Sequence, residues 1–172
     1  GPDFSMKLEE HARKFGLEIL YDDVNEIIVD GDVKKVVTDG QVYETRTIIL
    51  ATGASPKELG LNKEDLFRGR GVSYCATCDG TFYKDRVTAV VGGGDTALED
   101  AYFLAQYASK VYLIHRRDQF RGLKILQDRV LKHEKIEVLW DTVVESILGE
   151  EQVEGIEVRN VKTGQTTRLD LD

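Results

Sequence analysis

The chain is poor in cysteine, proline and positive charge, and each shortage excludes a class of protein. Two cysteines in 172 residues are too few for the disulfide framework of a small secreted protein. Two prolines and one methionine argue against a disordered or low-complexity chain. The formal net charge of −8 makes the chain a poor general binder of nucleic acid or anionic membrane. No apolar run approaches the ~20 residues of a membrane span, and no signal peptide is visible. We therefore expect a cytoplasmic protein with no nucleic-acid or membrane partner.

The second part of the chain alternates between strand-like and helix-like segments. The predicted order is strand, helix, strand, helix, strand, over Val87–Val91, Asp95–Ala108, Lys110–His115, Arg121–His133 and Ile136–Leu139. Such alternation predicts a parallel sheet with right-handed crossovers. An antiparallel meander is expected to follow, over Val143–Leu148, Val153–Val161 and Gln165–Leu169. The fold class predicted is therefore α/β, with a Rossmann-like domain.

The first part of the chain predicts a helix and several short strands. The helix is expected over Asp3–Phe15, because its apolar residues fall on one face and Gly16 follows as a stop. The strands are expected over Leu17–Leu20, Val24–Asp30, Val33–Thr38, Gln41–Glu44 and Thr47–Ala51. The last of these is apolar, which predicts a buried strand. It ends in Thr52-Gly53-Ala54, and strand ends of this kind are where α/β sheets bind ligands.

A glycine-rich turn joins the strand Val87–Val91 to the helix that follows it. Gly92 allows the tight turn, Gly94 lets the backbone approach a pyrophosphate, and small Ala97 lets the helix pack closely on the strand. A plain glycine loop is the alternative, but the strand–turn–helix context favours a dinucleotide site. We interpret Asp95 mainly as the N-cap of the helix, with contact to a ribose or the nicotinamide left open.

Arginines occupy the tip of the second predicted strand, where the choice between NAD and NADP is usually made. No carboxylate stands at the tip, which reads His115-Arg116-Arg117, and Arg121 follows a turn later. Because arginine accommodates a 2′-phosphate, this arrangement favours NADP over NAD. A solvated basic face is the alternative. His115 either stacks near the adenosine or is a packed histidine at the strand end.

The two cysteines stand in a Cys-x-x-Cys motif. This spacing lets Cys75 and Cys78 alternate between a disulfide and a dithiol. Half of a zinc site and a structural disulfide are the alternatives. A zinc site is disfavoured because no second Cys-x-x-Cys exists, and a structural disulfide is disfavoured because closing so short a loop removes little entropy from the unfolded chain. Redox chemistry is favoured. Asp79 follows Cys78 and could exchange a proton with the thiolate formed on reduction, or could cap the next turn through Gly80.

Four segments together resemble low-molecular-weight bacterial thioredoxin reductase, along essentially the whole chain. They are CATCDGTFY (75–83), VVGGGDTALEDA (90–101), LIHRRDQFR (113–121) and ATGAS (51–55). The resemblance implies an FAD- and NADPH-dependent flavoprotein, usually a homodimer, that reduces thioredoxin. It further implies that Cys75 attacks thioredoxin, that Cys78 lies against the flavin, and that Asp79 is the acid/base.

The same resemblance assigns cofactor contacts and domains. It implies that the NADPH site contains Gly93, Gly94, Asp95, Thr96, Arg116, Arg117 and Arg121, to which the turn residue Gly92 and strand-end His115 are added, and that Thr52 and Gly53 lie near FAD. Residues 1–55 are expected to be part of an FAD-binding domain and residues 56–172 an NADPH-binding domain.

The chain departs from the family pattern at both ends. The first FAD fingerprint, a Gly-x-Gly-x-x-Gly turn, and the C-terminal FAD segment are absent, and the NADPH domain stops one strand short. We therefore expect an internal fragment of a thioredoxin reductase. A non-catalytic NADP(H)-binding module, or a related flavoprotein that reduces a peroxiredoxin, are the alternatives.

Overall fold

The structure is a computed structural model that describes residues 2–172. Contacts within the chain divide it into two units, Gly1–Ala54 and Ser55–Asp172. The FAD and NADPH assignments of the two parts are not tested by this division and stay predictions. None of the helices described between residues 2 and 172 is long and apolar enough to cross a bilayer.

The first unit combines one helix with a small antiparallel sheet. The helix α1 spans Pro2–Lys14, and the chain leaves it through Gly16, whose φ of 82° suits glycine. Three strands follow in sheet order β1-β2-β3, and they span Val24–Ile28, Lys34–Thr38 and Val42–Thr45. Strand β1 is two residues shorter and β2 one residue shorter than predicted, and β3 is displaced by one residue, because the turns take up the ends.

Two strands predicted in the first unit are wrong. Leu17–Leu20 and Thr47–Ala51 have no strand structure, and no strand among residues 2–172 pairs with either. Ile49 is 91% exposed and Leu50 is 71% exposed. An apolar run becomes a strand only where neighbours satisfy its backbone and cover its side chains, and the described residues supply none here.

The second unit contains the predicted parallel sheet. A short helix α2, Ala76–Asp79, and a 3-10 turn, Gly80–Tyr83, precede it. Strands β4, β5 and β6 then alternate with helices α3 and α4, and the five elements span Val87–Val91, Asp95–Leu104, Lys110–Ile114, Lys124–Leu131 and Ile136–Leu139. The sheet order is β4-β5-β6, all parallel. The prediction of an α/β fold with a parallel sheet is confirmed.

The register of the parallel sheet aligns the strand ends that matter for a ligand. Val91 pairs with Ile114, and Ile114 pairs with Leu139. The hydrogen bonds continue one residue further, from Gly92 N–H to the Ile114 carbonyl and from His115 N–H to the Leu139 carbonyl. The glycine turn and the segment after β5 therefore leave the sheet side by side, at its carboxyl edge.

An antiparallel meander completes the second unit. Strands β7, β8 and β9 span Thr142–Leu148, Gly155–Asn160 and Thr166–Asp170, in that sheet order. The meander is confirmed, with ends that differ from the prediction by one to two residues. Its inner residues Ile156 and Val158 pack with Ile114 of β5.

The main core lies between the parallel sheet and its two helices. Its buried members come from α3, the turn after it, β5, Phe120 and α4, and they include Leu98, Ala101, Leu104, Ala105, Ala108, Val111, Leu113, Leu126 and Val130. A helix face of leucine and alanine against a strand of β-branched and leucine residues produces this packing.

Both crossover helices are shorter than predicted. Helix α3 ends at Leu104 rather than at Ala108, and the next residues form turns that still bury Ala105 and Ala108. Helix α4 begins at Lys124 rather than at Arg121. The Arg121 and Gly122 N–H groups instead donate to the Gly93 carbonyl, at 2.7 and 3.2 Å, so tertiary hydrogen bonds replace the first helical turn.

Candidate functional site

The two cysteines form a disulfide at the start of α2. The Cys75–Cys78 bond closes a separation of three residues, with the Cα atoms 5.3 Å apart. The N–H groups of Cys78 and Asp79 donate to the Cys75 carbonyl at 3.1 and 3.2 Å, which makes the motif one helical turn. Cys78 is exposed and Cys75 is half-buried. The sulfurs are bonded to each other rather than held for zinc, and residues 2–172 contain no cluster of three or more His, Cys, Asp or Glu side chains suited to a metal ion.

The Asp79 carboxylate is held by a serine that the sequence analysis missed. The Ser73 hydroxyl donates to Asp79 Oδ2 at 2.5 Å, and it accepts the Cys75 N–H at 3.1 Å. Asp79 makes no side-chain cap to the 3-10 turn that follows it, so the alternative of a capping role through Gly80 is wrong. Thr77 is the other hydroxyl at the disulfide, with Oγ1 3.4 Å from Cys75 Sγ.

The glycine turn after β4 has the geometry that its sequence predicts. Gly92 has a φ of +152°, and a Cβ there would lie 2.6 Å from the Ala97 Cβ. The tight turn therefore needs glycine at the first position and a small residue at the helix. A Cβ at Gly93 would meet the His115 ring at 2.3 Å. A Cβ at Gly94 would meet nothing within 4 Å, which leaves open space beside the backbone for a ligand.

The predicted capping role of Asp95 is wrong. The N-cap of α3 is Gly94, and no side chain caps the helix. The Asp95 carboxylate instead accepts the Leu123 N–H at 2.6 Å and so ties the start of α3 to the residue before α4. The backbone is extended at Gly94, so the N-cap lies one residue earlier than expected. Thr96 follows Asp95, and both are exposed.

An exposed basic loop, residues 116–121, follows β5 beside the glycine turn. Arg116, Arg117 and Arg121 are all exposed, and within residues 2–172 none of the three forms an ion pair. The one carboxylate in the loop, Asp118, pairs with Lys162 at 3.2 Å, and this hydrogen bond holds the pKa of Asp118 below its ordinary value. The arginines are therefore free to bind an anion.

His115 is buried at the base of the basic loop. Only 6% of the residue is exposed, its Nε2 lies 2.9 Å from the Gln119 carbonyl, and its ring contacts Phe120 and Trp140. These contacts favour the packed alternative over adenosine stacking. Trp140 is the single tryptophan of the chain, and its ring lies 4.4 Å from that of Phe120.

Thr52 and Gly53, predicted to lie near FAD, belong to the first unit. Both are exposed, and Gly53 adopts a φ of 74°. Residues 2–54 contain no glycine-rich turn between a strand and a helix. Taken alone, they therefore do not fit an FAD, whose pyrophosphate needs such a turn.

A buried carboxylate organises the segment that leads to the disulfide, and the sequence analysis missed it. Glu64 is 4% exposed and accepts the N–H groups of Leu59, Gly60 and Leu61 at 2.7 to 3.1 Å, together with the Tyr74 hydroxyl at 2.6 Å. Burial by itself would raise the pKa of Glu64, but the hydrogen bonds outweigh it and the pKa lies below its ordinary value. The hydrogen bond that the Tyr74 hydroxyl donates to Glu64 raises the pKa of Tyr74. A charged residue in a loop-like segment gave no sequence signal for this role.

A cavity of the second unit lies away from the glycine turn. It has a volume of about 460 Å³ and is lined by Thr77 and by side chains of α3 and α4. Among these, burial and then the neighbouring Glu99 raise the pKa of Asp100. Neither the glycine turn nor the basic loop lines this cavity.

A parallel sheet with a glycine turn, and a disulfide just before it, define a class of dinucleotide-dependent thiol–disulfide enzymes. The family model described as pyridine nucleotide-disulphide oxidoreductase matches residues 2–172. The chain belongs to this family.

Within the family, the chain is similar to thioredoxin reductases. It is 43% identical to the thioredoxin reductase of Streptomyces coelicolor over 98% of this chain and 53% of that protein. It is 46% identical to the Listeria innocua thioredoxin reductase over 96% of this chain and 51% of that protein. The solved thioredoxin reductase of Streptococcus pyogenes matches with a TM-score of 0.72 at 46% identity, covering 99% of this chain and 56% of that chain. The resemblance to bacterial thioredoxin reductase is confirmed, and the chain spans about half the length of the relatives it matches.

Proposed function

We propose that this chain supplies the NADP(H)-binding and thiol–disulfide part of a thioredoxin-disulfide reductase. One observation carries the proposal. The Cys75–Cys78 disulfide, the glycine turn and the basic loop all belong to the unit Ser55–Asp172. A redox-active thiol pair and a dinucleotide site are the two parts that such a reaction needs.

The residues at the sheet edge fit an NADP(H). Open space at Gly94 accommodates a pyrophosphate at the start of α3. Arg116, Arg117 and Arg121 supply permanently charged donors for a 2′-phosphate. NADPH, when bound, would supply a hydride, and the family resemblance implies that the two electrons of this hydride pass through FAD to the Cys75–Cys78 disulfide.

The reduced thiol pair would then reduce thioredoxin by exchange. The Cys75 thiolate attacks one sulfur of the thioredoxin disulfide, and the other thioredoxin sulfur leaves as a thiolate. The Cys78 thiolate next attacks the Cys75 sulfur, which re-forms Cys75–Cys78 and releases the second thioredoxin thiolate. Asp79, next to Cys78, exchanges protons with the thiols. In the net change one NADPH, one proton and one thioredoxin disulfide give NADP⁺ and one thioredoxin dithiol.

In this proposal FAD is a cofactor of the whole protein and not of this chain alone. Residues 2–54 provide the Thr52-Gly53 turn without a dinucleotide-binding turn. A homodimer and a cytoplasmic location also stay predictions for the whole protein.

A non-catalytic NADP(H)-binding module is the second candidate. It is favoured by the contrast between the second unit, which has a glycine turn between a strand and a helix, and residues 2–54, which have none. Adding FAD and then NADPH without oxygen separates the two for this chain. A flavin band that bleaches would mean that the chain itself passes electrons to flavin, whereas an unchanged free-flavin spectrum would leave it with nucleotide binding only.

A thiol-exchange experiment tests the proposed function without flavin. Thioredoxin with its resolving cysteine replaced by serine is coupled to thionitrobenzoate and mixed with either of two variants, Cys78→Ser or Cys75→Ser. We expect Cys78→Ser to release the coloured thiol about ten-fold faster than Cys75→Ser, and faster from thioredoxin than from a glutathione adduct. Equal rates for the two variants, with no preference for thioredoxin, would contradict the proposal.

A further inference from the structure

Ser73 links three parts of the redox motif through one hydroxyl group. Its Oγ donates to Asp79 Oδ2 at 2.5 Å and accepts the Cys75 N–H at 3.1 Å. The Cys75 carbonyl lies 3.4 Å from the same oxygen. The hydroxyl therefore joins the backbone of the first cysteine to the carboxylate that follows the second, across the four-residue turn that the disulfide closes.

The link is not needed to hold the second unit together. Ser73 is exposed and Asp79 is half-buried, and an exposed hydrogen bond between them adds little to global stability. The first turn of α2 already has its own hydrogen bonds, from Cys78 and Asp79 N–H to the Cys75 carbonyl. The contact instead acts on the short turn that carries both the carboxylate and the sulfurs.

We propose that Ser73 is a positioning residue for the thiol pair, which stabilises the disulfide state relative to the dithiol and so sets the reduction potential of Cys75–Cys78. Its hydroxyl keeps the Asp79 carboxylate and the Cys75 backbone in the arrangement that the closed disulfide has. Reduction lengthens the distance between the two sulfurs and loosens the turn, so the hydrogen-bonded arrangement belongs to the oxidised form. The inference rests on the proposed function only for the meaning of Asp79 as the proton-exchanging group.

The test is an equilibrium with dithiothreitol. In this reaction the chain disulfide and reduced dithiothreitol give the chain dithiol and oxidised dithiothreitol, so two electrons and two protons pass to the chain. The fraction of dithiol is counted after acid quenching and alkylation. The experiment needs no NADPH, FAD or thioredoxin, so it reads out even where the proposed function fails.

We expect Ser73→Ala to shift this equilibrium toward the dithiol by about three- to ten-fold. Ser73→Thr, which keeps the hydroxyl, is expected to stay within about two-fold of the wild type. Ser109→Ala is the matched control, because Ser109 is exposed and its hydroxyl makes no hydrogen bond within residues 2–172. The oxidised Ser73→Ala chain is expected to unfold at the wild-type temperature.

A double-variant cycle separates positioning from a general loosening of the loop. In an Asp79→Ala background the carboxylate is gone, so Ser73→Ala is expected to cause less than half of its single-variant shift. An unchanged equilibrium for Ser73→Ala, a shift toward the disulfide, or an undiminished effect in the Asp79→Ala background would each overturn the proposal.

Discussion

The two units of the chain differ in what covers their apolar side chains. Every buried hydrophobic residue found in the structure lies between Phe67 and Val158, in the second unit. No residue from 2 to 54 is buried, and Phe15, Tyr21 and Ile49 are 80 to 91% exposed. Both units have regular secondary structure, but only the second encloses a core.

The difference shows which structures are local and which need partners. Turn residues and cross-strand pairing are enough to form the sheet β1-β2-β3. An apolar strand of a parallel sheet needs neighbours on both edges and cover on both faces. Strand β5 has β4 and β6 at its edges, helices α3 and α4 on one face and the meander on the other, whereas residues 47–51 find none of these within the described chain.

Hydrogen exchange gives the largest expected contrast between the units. The amide of Leu113, in the buried central strand, is expected to exchange at least about 1,000-fold more slowly than that of Leu50, because the first opens only with the core. Val36, at the centre of the small sheet, should lie between them. Comparable protection at Leu50 and Leu113, measured by NMR on the whole chain, would show that the comparison is wrong.

This contrast explains which parts of the fold could be predicted from the sequence. The elements β4, α3, β5 and β6 were predicted from the periodicity of their apolar residues and from their composition. The prediction succeeded because the elements that pack against them lie close by in the chain. The strand expected at Thr47–Ala51 was wrong. Apolar composition indicates that a segment is buried in some context, but it does not identify the segment that covers it. The start of α4 was displaced because hydrogen bonds to Gly93 and Asp95 join positions that are far apart in sequence.

A pair of glycine variants tests whether the glycine turn acts as a ligand site or only as a structural turn. Gly92→Val forces a branched side chain into a φ of +152° and against Ala97, so we expect a loss of about 3 kcal/mol of stability and of NADPH binding. Gly94→Ala places a methyl group in open space. It should unfold within about 0.5 kcal/mol of the wild type while binding NADPH about ten-fold more weakly.

Urea unfolding and NADPH titration measure the two effects separately. If Gly94→Ala binds NADPH like the wild type, the pyrophosphate does not lie at this turn. If Gly92→Val is fully stable, the tight approach of the turn to Ala97 is not required.

The buried carboxylate Glu64 gives a smaller effect, confined to the second unit. Glu64→Gln places an amide donor against backbone N–H donors and should cost about 2 kcal/mol. Glu58→Gln is the matched control, since Glu58 forms only an exposed ion pair with Arg68, and it should change stability by no more than about 0.5 kcal/mol.

The contribution of Glu64 has a defined pH dependence. Because folding lowers its pKa, the stabilisation is present above the ordinary glutamate pKa of about 4.3 and is lost as the pH falls through the lower folded value. The difference in unfolding free energy between wild type and Glu64→Gln should therefore shrink below about pH 4.3. A difference that does not depend on pH from 7 to 3 would mean that the carboxylate charge is not responsible.

Substitution of the arginines in the basic loop should have the smallest effect on the stability of the protein. Its effect on nucleotide binding should be selective. Arg116→Ala or Arg117→Ala should weaken NADPH binding about ten-fold and leave NADH binding unchanged, because each removes one charge-assisted contact with a 2′-phosphate. Lys124→Ala, in an exposed pair with Asp128, should affect neither nucleotide. Equal loss for NADPH and NADH would instead indicate a general electrostatic attraction.

The sequence indicated the candidate site residues whose side chains carry chemistry, but not the residues that support them through hydrogen bonds. Cysteine spacing, the glycine turn and clustered arginines carry their function in residue type, so Cys75, Gly92 and Arg116 could be chosen from the sequence. Ser73 and Glu64 act through hydrogen bonds that only the folded chain creates, and Asp95 holds Leu123 rather than its own helix. His115 could not be decided until its burial against Phe120 was known.

Our central proposal is that the second unit carries both an NADP(H) site and a redox disulfide. The most direct test is a titration of the 172-residue chain with NADPH and, separately, with NADH, following the fluorescence of its single tryptophan, Trp140, below the basic loop. We expect saturable binding of NADPH at least about ten-fold tighter than that of NADH, because one charge-assisted contact changes the affinity by about this factor. Equal affinities, or no binding of either nucleotide, would contradict it.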